Sequence, residues 1–191
     1  MKYQIIYADP PWNLKYIKET KAGINTYDVP YKTMSINDIC SLPIKDISHE
    51  DSILFLWVTD NFVDKIQTVM NLWGFRYITV GFVWNKVAKT TNGVNATLSK
   101  YTRKSCEFCY IGTKGKYLVQ NSCKADQYIG IPKERHSKKP ECIKDRIVTL
   151  VGDLPRIELF AREKTPGWDV WGNEVESDID LNQPQVKERR V

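Results

Sequence analysis

Tyr3-Gln4-Ile5-Ile6-Tyr7-Ala8-Asp9-Pro10-Pro11-Trp12 is the stretch on which the fold turns. Its first six residues form a short, near-continuous apolar run rich in strand formers, the pattern of a strand covered on both faces. The run stops at Asp9, and two prolines follow. Each proline fixes its own φ and drives the preceding residue to extended backbone, so the carbonyls here point in preset directions. A carboxylate therefore stands at the end of a buried strand, with fixed carbonyls and an indole beside it.

Similar runs recur along the chain: Ser52–Val58 (SILFLWV), Ile78–Trp84 (ITVGFVW), Cys106–Ile111 and Ile157–Ala161 (IELFA). Helical patterns lie between them. From Asp60, residues Phe62, Ile66, Val69, Met70 and Trp73 share one face, and Gly74 supplies a stop. From Pro140, residues Ile143, Ile147, Leu150 and Val151 do the same, up to Gly152. Strand alternating with helix predicts an α/β fold, a mostly parallel sheet with helices on both faces. Ligands in such folds sit at the carboxyl ends of the strands, where Asp9-Pro10-Pro11-Trp12 falls.

The length of 191 residues fits one such domain. Hydrophobic residues at 42% and charged residues at 27% exclude a disordered chain. A net charge of +5 favours anionic partners such as nucleic acid. No stretch approaches the ~20 apolar residues of a membrane span, and the N-terminus lacks a signal-peptide layout. Five cysteines, an odd number, predict reduced thiols in a cytoplasmic protein. Cys106-x-x-Cys109 with Cys123 and His136 invites a zinc site. Residues three apart on a strand point to opposite faces, however, so no metal is expected.

Two connections are longer than compact domains usually carry, Asn13–Thr33 and Val87–Arg103. Lys15, Lys18, Lys21 and Lys32 lie in the first, and Lys89, Lys100 and Arg103 in the second. Both suit contact with a phosphate backbone, and equally a solvated surface. The segment 175–191 is polar and charged and is expected to be a loosely held tail.

The chemistry suited to Asp9-Pro10-Pro11-Trp12 is the handling of an exocyclic amine on a flat base. The lone pair of such an amine is delocalised into the ring, so its reaction needs acceptors that hold both N–H bonds. A carboxylate (Asp9) and a neighbouring carbonyl (that of Pro10) supply them, and Trp12 offers a stacking face. Asp-Pro-Pro-Trp here resembles the hallmark of the adenine-methylating family named after the seventy-kilodalton subunit of the messenger-RNA adenosine methyltransferase. The resemblance runs from about Tyr3 to Glu174. It includes Pro30–Ser35, Leu54–Thr59, Asn71–Phe75, Glu158-Leu159-Phe160-Ala161-Arg162 and Gly172-Asn173-Glu174, in that order.

The resemblance implies a Rossmann-like class I methyltransferase fold with permuted motif order, in which the catalytic motif precedes the donor-binding one. No G-x-G-x-x-G follows any strand, as that permutation requires. It implies a catalytic domain over residues 1–174 and S-adenosylmethionine as methyl donor, leaving as S-adenosylhomocysteine, with no metal. Asp9, Pro10, Pro11 and Trp12 would be catalytic. Tyr31, Trp84, Glu107 and Ser137 would line the acceptor pocket. Asp9, Lys139, Phe160, Arg162, Asn173 and Glu174 would bind the donor, Arg162 at its ribose and Asn173 with Glu174 at its adenine. Lys164-Thr165-Pro166 departs from the family pattern, which leaves one polar donor contact unassigned.

Three of these residues also have readings of their own. Lys139 precedes Pro140, a residue suited to a first helical turn. A cation there is disfavoured unless an anion sits beside it, and the donor's carboxylate would be one. Glu107 lies inside an apolar strand, where a buried carboxylate needs a partner. Trp84 closes an apolar run and reads equally well as core. The expected acceptor is adenine in DNA, because compact members of the family are commonly bacterial or phage proteins acting on DNA. An RNA adenine methyltransferase and a non-catalytic nucleic-acid-binding subunit stay open, as does a homodimer or a heterodimer with a related chain.

Overall fold

The computed structural model describes residues 2–13, 32–91, 93–99, 101–122, 124–133 and 138–181. The strands among them are β1 (Tyr3–Ala8), β2 (Ser48–Val58), β3 (Arg76–Val87), β4 (Cys106–Lys114), β5 (Tyr128–Pro132), β6 (Arg156–Leu159) and β7 (Asp169–Trp171). They form one sheet in the order β5-β3-β4-β2-β1-β6-β7. β1 runs parallel to β2 and β6, β6 to β7, and β3 to β5. β4 alone is antiparallel, between β2 and β3. β1 lies inside the sheet between β2 and β6, two neighbours that come from distant parts of the chain. Its carboxyl end is where a doubly wound sheet opens a ligand crevice.

The two faces of β1 explain why its sequence does not alternate. Ile6 and Ala8 pack with Leu54, Leu56 and Val58 under α1 (Ile36–Ser41), α2 (Ile44–Ile47) and α3 (Ile66–Leu72). Ile5 and Tyr7 pack with Phe55, Trp57 and Phe82 under α4 (Cys142–Val151). Burial on both sides leaves no solvent face for polar residues.

Several boundaries differ from the sequence pattern. β2 begins at Ser48, ahead of the apolar run, and β3 extends on both sides of Ile78–Trp84. The helix expected from Asp60 is divided into a 3-10 turn (Asp60–Lys65) and α3, with Phe62 at φ −122° inside the turn. α4 starts at Cys142, two residues beyond Pro140, and Gly152 ends it at φ 97°. α1 has a capping box in which Ser35 and Asp38 satisfy each other's backbone N–H. Residues 175–181 are not a loose tail. Asp178 accepts from the Val170 N–H at 2.9 Å, and Leu181 is 3% exposed because it fills the core beside Ile179. No described helix is long and apolar enough to cross a membrane.

Candidate active site

Strand periodicity brings the charged groups together. Asp9 follows Ile5 and Tyr7 at intervals of two and so leaves β1 on the α4 side of the sheet. Glu107 follows the same parity on β4 as Cys109, whose side chain packs on that side with Trp57. Lys139 reaches the same point from the segment leading into α4. Its Nζ lies 2.6 Å from Asp9 Oδ2, 3.2 Å from Glu107 Oε2 and 5.4 Å from the centroid of the Trp57 ring. Lys86 of β3 pairs with the other Glu107 oxygen. The result is a partly buried chain of alternating charge, Asp9–Lys139–Glu107–Lys86.

The two carboxylates are not equivalent. Burial opposes the charge of Glu107, but Lys139 and Lys86 outweigh it and hold its pKa at about 2. Asp9 has one lysine instead of two. Burial pushes its carboxyl above the ordinary value, Lys139 pulls it back, and Glu107 adds to the rise. For Lys139, burial disfavours the charge, yet Asp9 and Glu107 more than offset it, and the ammonium titrates above the usual lysine range. Glu107 is thus a fixed anion, whereas Asp9 is the carboxylate poised to exchange its partner.

Asp9, Pro10, Pro11 and Trp12 form one end of a cleft of about 510 Å³, with Glu107 and Lys139 in its wall. The Pro10 carbonyl accepts from Trp12 N–H at 2.9 Å, and that of Pro11 from Met34 N–H at 2.8 Å. Each carbonyl retains a second lone pair. Trp12 is 5% exposed. Phe62 stacks on its indole at 5.4 Å and 24°, and its N–H donates to the Trp57 carbonyl at 3.1 Å. These contacts fix the ring as cleft wall.

The loops after β6 and β7 complete the lining of the cleft. Phe160 has φ 63°, a costly conformation for a non-glycine residue, and it packs edge-on against Trp171 at 5.3 Å. Ala161 N–H donates to the Trp171 carbonyl at 3.0 Å. Gly172 passes so close that a Cβ there would fall 2.0 Å from Ala161 O. This crossing sets Arg162 beside Glu174, whose Oε2 accepts from Arg162 Nε at 3.0 Å, with Asn173 exposed next to them. An aromatic edge, a guanidinium, an amide and a carboxylate together can hold a flat ring and hydroxyls, and the carboxylates near them suit a cation. Gly172→Ala is expected to cost ~1–3 kcal/mol through forced backbone displacement. The loss is measurable by thermal denaturation.

Of the residues singled out in the sequence, Asp9, Pro10, Pro11, Trp12, Glu107, Lys139, Phe160, Arg162, Asn173 and Glu174 all line this cleft. Trp84 does not. It is 2% exposed, packs in the core beneath α4 and donates to the Ile131 carbonyl at 3.0 Å. Its place is behind the wall, directly across the β3–β4 ladder from Glu107. Tyr31 and Ser137 lie outside the described residues, as do Cys123 and His136 of the zinc pattern. Cys106 and Cys109 are free thiols. Sequence reasoning missed Lys86, Trp57 and Thr59. Only strand parity, once β2, β3 and β4 are registered, reveals that Lys86 meets Glu107.

A mostly parallel sheet with a charged, aromatic cleft at the carboxyl end of β1 fits a methyltransferase of Rossmann-like fold. The chain belongs to the MT-A70 family, whose profile matches residues 3–174. It is 33% identical over 189 aligned positions to the type II methyltransferase M.MunI of a Mycoplasma species, covering 91% of this chain and 78% of that one. It is 27% identical over 191 positions to the human N(6)-adenosine-methyltransferase catalytic subunit METTL3, covering 98% of this chain and 30% of that one. Human N(6)-adenine-specific methyltransferase METTL4 matches at 27% over 187 positions, covering 91% and 37%. The chain thus spans most of the length of the first relative and about a third of the other two.

Proposed function

We propose that the protein transfers the methyl group of S-adenosylmethionine to the exocyclic 6-amino group of adenine in DNA. It is an adenine-N6 methyltransferase whose reaction centre is the Asp9 carboxylate at the end of β1. The observation that carries this reading is the asymmetry of the charge chain. Glu107 is held between two lysines, while Asp9 faces the cleft with a raised pKa, ready to accept an N–H. Asp9 and the free lone pair of the Pro10 carbonyl take the two amine hydrogens. The nitrogen is thereby drawn out of conjugation and its lone pair aimed at the methyl carbon. Trp12 bounds the base, with Tyr31 and Ser137 assigned to the acceptor side by family resemblance.

The donor, when bound, supplies a methyl group already activated on a sulfonium. Phe160, Arg162, Asn173 and Glu174 hold its nucleoside end, and family resemblance assigns Lys139 to its carboxylate. Asp9 need not be a strong base, because the amine becomes acidic once it carries the methyl. Similarity to a type II methyltransferase across most of that protein's length favours DNA over RNA. The four cations of the 88–105 stretch, which has no acid, favour a polyanion. The first test is transfer of labelled methyl to duplex DNA, single-stranded DNA and RNA of matched sequence. Adenine labelling of DNA supports the reading. Labelling of RNA alone would reassign the substrate, and no labelling despite donor binding would make the chain a non-catalytic partner subunit.

Because Asp9 must be ionised to accept, activity should fall as pH drops through its folded-state pKa, which lies above the ordinary aspartate value. Glu107→Gln removes a neighbouring negative charge and leaves Lys139 to Asp9 alone. Both changes lower the Asp9 pKa, so the acid limb of kcat/KM should move to lower pH. An unmoved limb would mean that another group controls it.

A further inference from the structure

Between Val87 and Cys106 the chain leaves the sheet as an arm. Ala88 N–H donates to the Gly93 carbonyl at 2.7 Å, and Asn95 N–H to that of Lys86 at 2.8 Å. Thr97 and Lys104 exchange both backbone hydrogen bonds, at 2.8 and 2.9 Å, and Ser99 Oγ donates to the Thr102 carbonyl at 2.6 Å. These bonds close two successive turns, the first between Lys86 and Asn95 and the second between Thr97 and Lys104. In the second, Leu98 is 83% and Tyr101 87% exposed, more than any other large hydrophobic side chain among the described residues.

Its foot stands on the cleft. Lys86 pairs with Glu107 in the cleft wall. Lys104 pairs at 2.9 Å with Asp60, next to the cleft residue Thr59. Residues 88–105 carry Lys89, Lys100, Arg103 and Lys104 and not one Asp or Glu. This stretch therefore sets an exposed apolar pair among cations with no acid beside them. It suits a polyanion with an apolar interior. The reading above also requires an adenine to leave the base stack of a duplex, which opens a flat gap that needs filling.

We propose that the turn closed by Thr97 and Lys104 is a wedge: Leu98 and Tyr101 enter the base stack of duplex DNA beside the target adenine, while Arg103 and, from the preceding turn, Lys89 meet the flanking phosphates. The inference rests on the proposed activity toward DNA and adds the means by which the base is extracted. Apolar wedges of this kind hold a base step open in other duplex-binding proteins.

The test uses the full chain and the double variant Leu98→Ser/Tyr101→Ser. Methyl transfer to a duplex should fall by about ten-fold or more, and transfer to the same sequence as a single strand by less than about two-fold, since no stack opposes it. A mismatch opposite the target adenine should restore much of the duplex activity. Donor affinity and melting temperature should match the parent protein, because neither residue touches the cleft. Equal losses on both substrates, or no loss on the duplex, would overturn the wedge. So would a change in sedimentation coefficient between parent and variant, which would make the exposed pair a protein contact. If the parent labels only single strands or RNA, the wedge falls and the methyltransferase reading stands. If the parent labels no nucleic acid, both fall.

Discussion

Asp9→Asn is expected to lose methyl transfer by ~10²–10⁴-fold, the range typical of removing a positioned acceptor from a reaction centre. Its melting temperature should nevertheless equal or exceed that of the parent. The activity loss follows from geometry: an amide in place of the carboxylate presents one acceptor and two donors to an amine that needs its own hydrogens accepted. The stability follows from linkage. A carboxyl whose folded pKa is raised binds its proton more tightly folded than unfolded. Stability from that group therefore declines as pH rises through the folded value, and at neutral pH the ionised Asp9 is a net cost. The neutral isostere removes the cost, and Lys139 keeps its pairing with Glu107. Thermal denaturation at pH 7 beside a labelled-methyl assay reads both quantities. A variant that loses stability along with activity would make Asp9 a structural ion-pair partner instead of the reacting group's acceptor.

What the sequence made legible was what local pattern encodes. Tyr3–Ala8 reads as a doubly covered strand because both faces of β1 are in fact buried, and Asp9 follows at its carboxyl end by the parity of two. α4 is legible from Ile143, Ile147 and Val151 at helical spacing, all of them buried. β5 and β7 were not, because Tyr128–Pro132 and Asp169–Trp171 are too short to show a period. Their strand state comes from pairing with β3 and β6. The same limit applies to Trp84 and Lys86. Resemblance placed Trp84 at the acceptor pocket, but its register opposite Glu107 turns it into the core. Lys86, two residues on, reaches Glu107 instead. Residues 175–181 read as a tail because they are polar, and only the partners of Asp178 and Leu181 show them to be fastened.

Lys139→Met should be the most destabilising single change in the cleft, by roughly 3–5 kcal/mol, the usual cost of leaving buried charge without its partner. One ammonium serves both Asp9 and Glu107, and its side chain is only 12% exposed, so solvent cannot replace it. The loss should depend on pH in a defined direction. The pKa of Glu107 is depressed to about 2, so its pairing stabilises the fold above the ordinary carboxylate value, and that contribution disappears as pH falls through about 2. In the variant Glu107 retains only Lys86, its pKa rises, and the difference in melting temperature from the parent should narrow as the solution is acidified. Asp9, deprived of its one cation, should titrate higher still and carry the acid limb of activity upward with it. Lys139→Met/Asp9→Asn should recover part of the stability, because it removes the carboxylate left without its ion-pair partner, yet it should not restore donor affinity if Lys139 also meets the donor's carboxylate. A Lys139→Met protein with unchanged donor affinity and a displaced acid limb would assign the lysine to Asp9 alone. Weakened donor binding with an unmoved limb would assign it to the donor. The geometry, with Nζ within 3.2 Å of both carboxylates, predicts that the acid limb moves, and the family resemblance predicts that donor affinity falls with it.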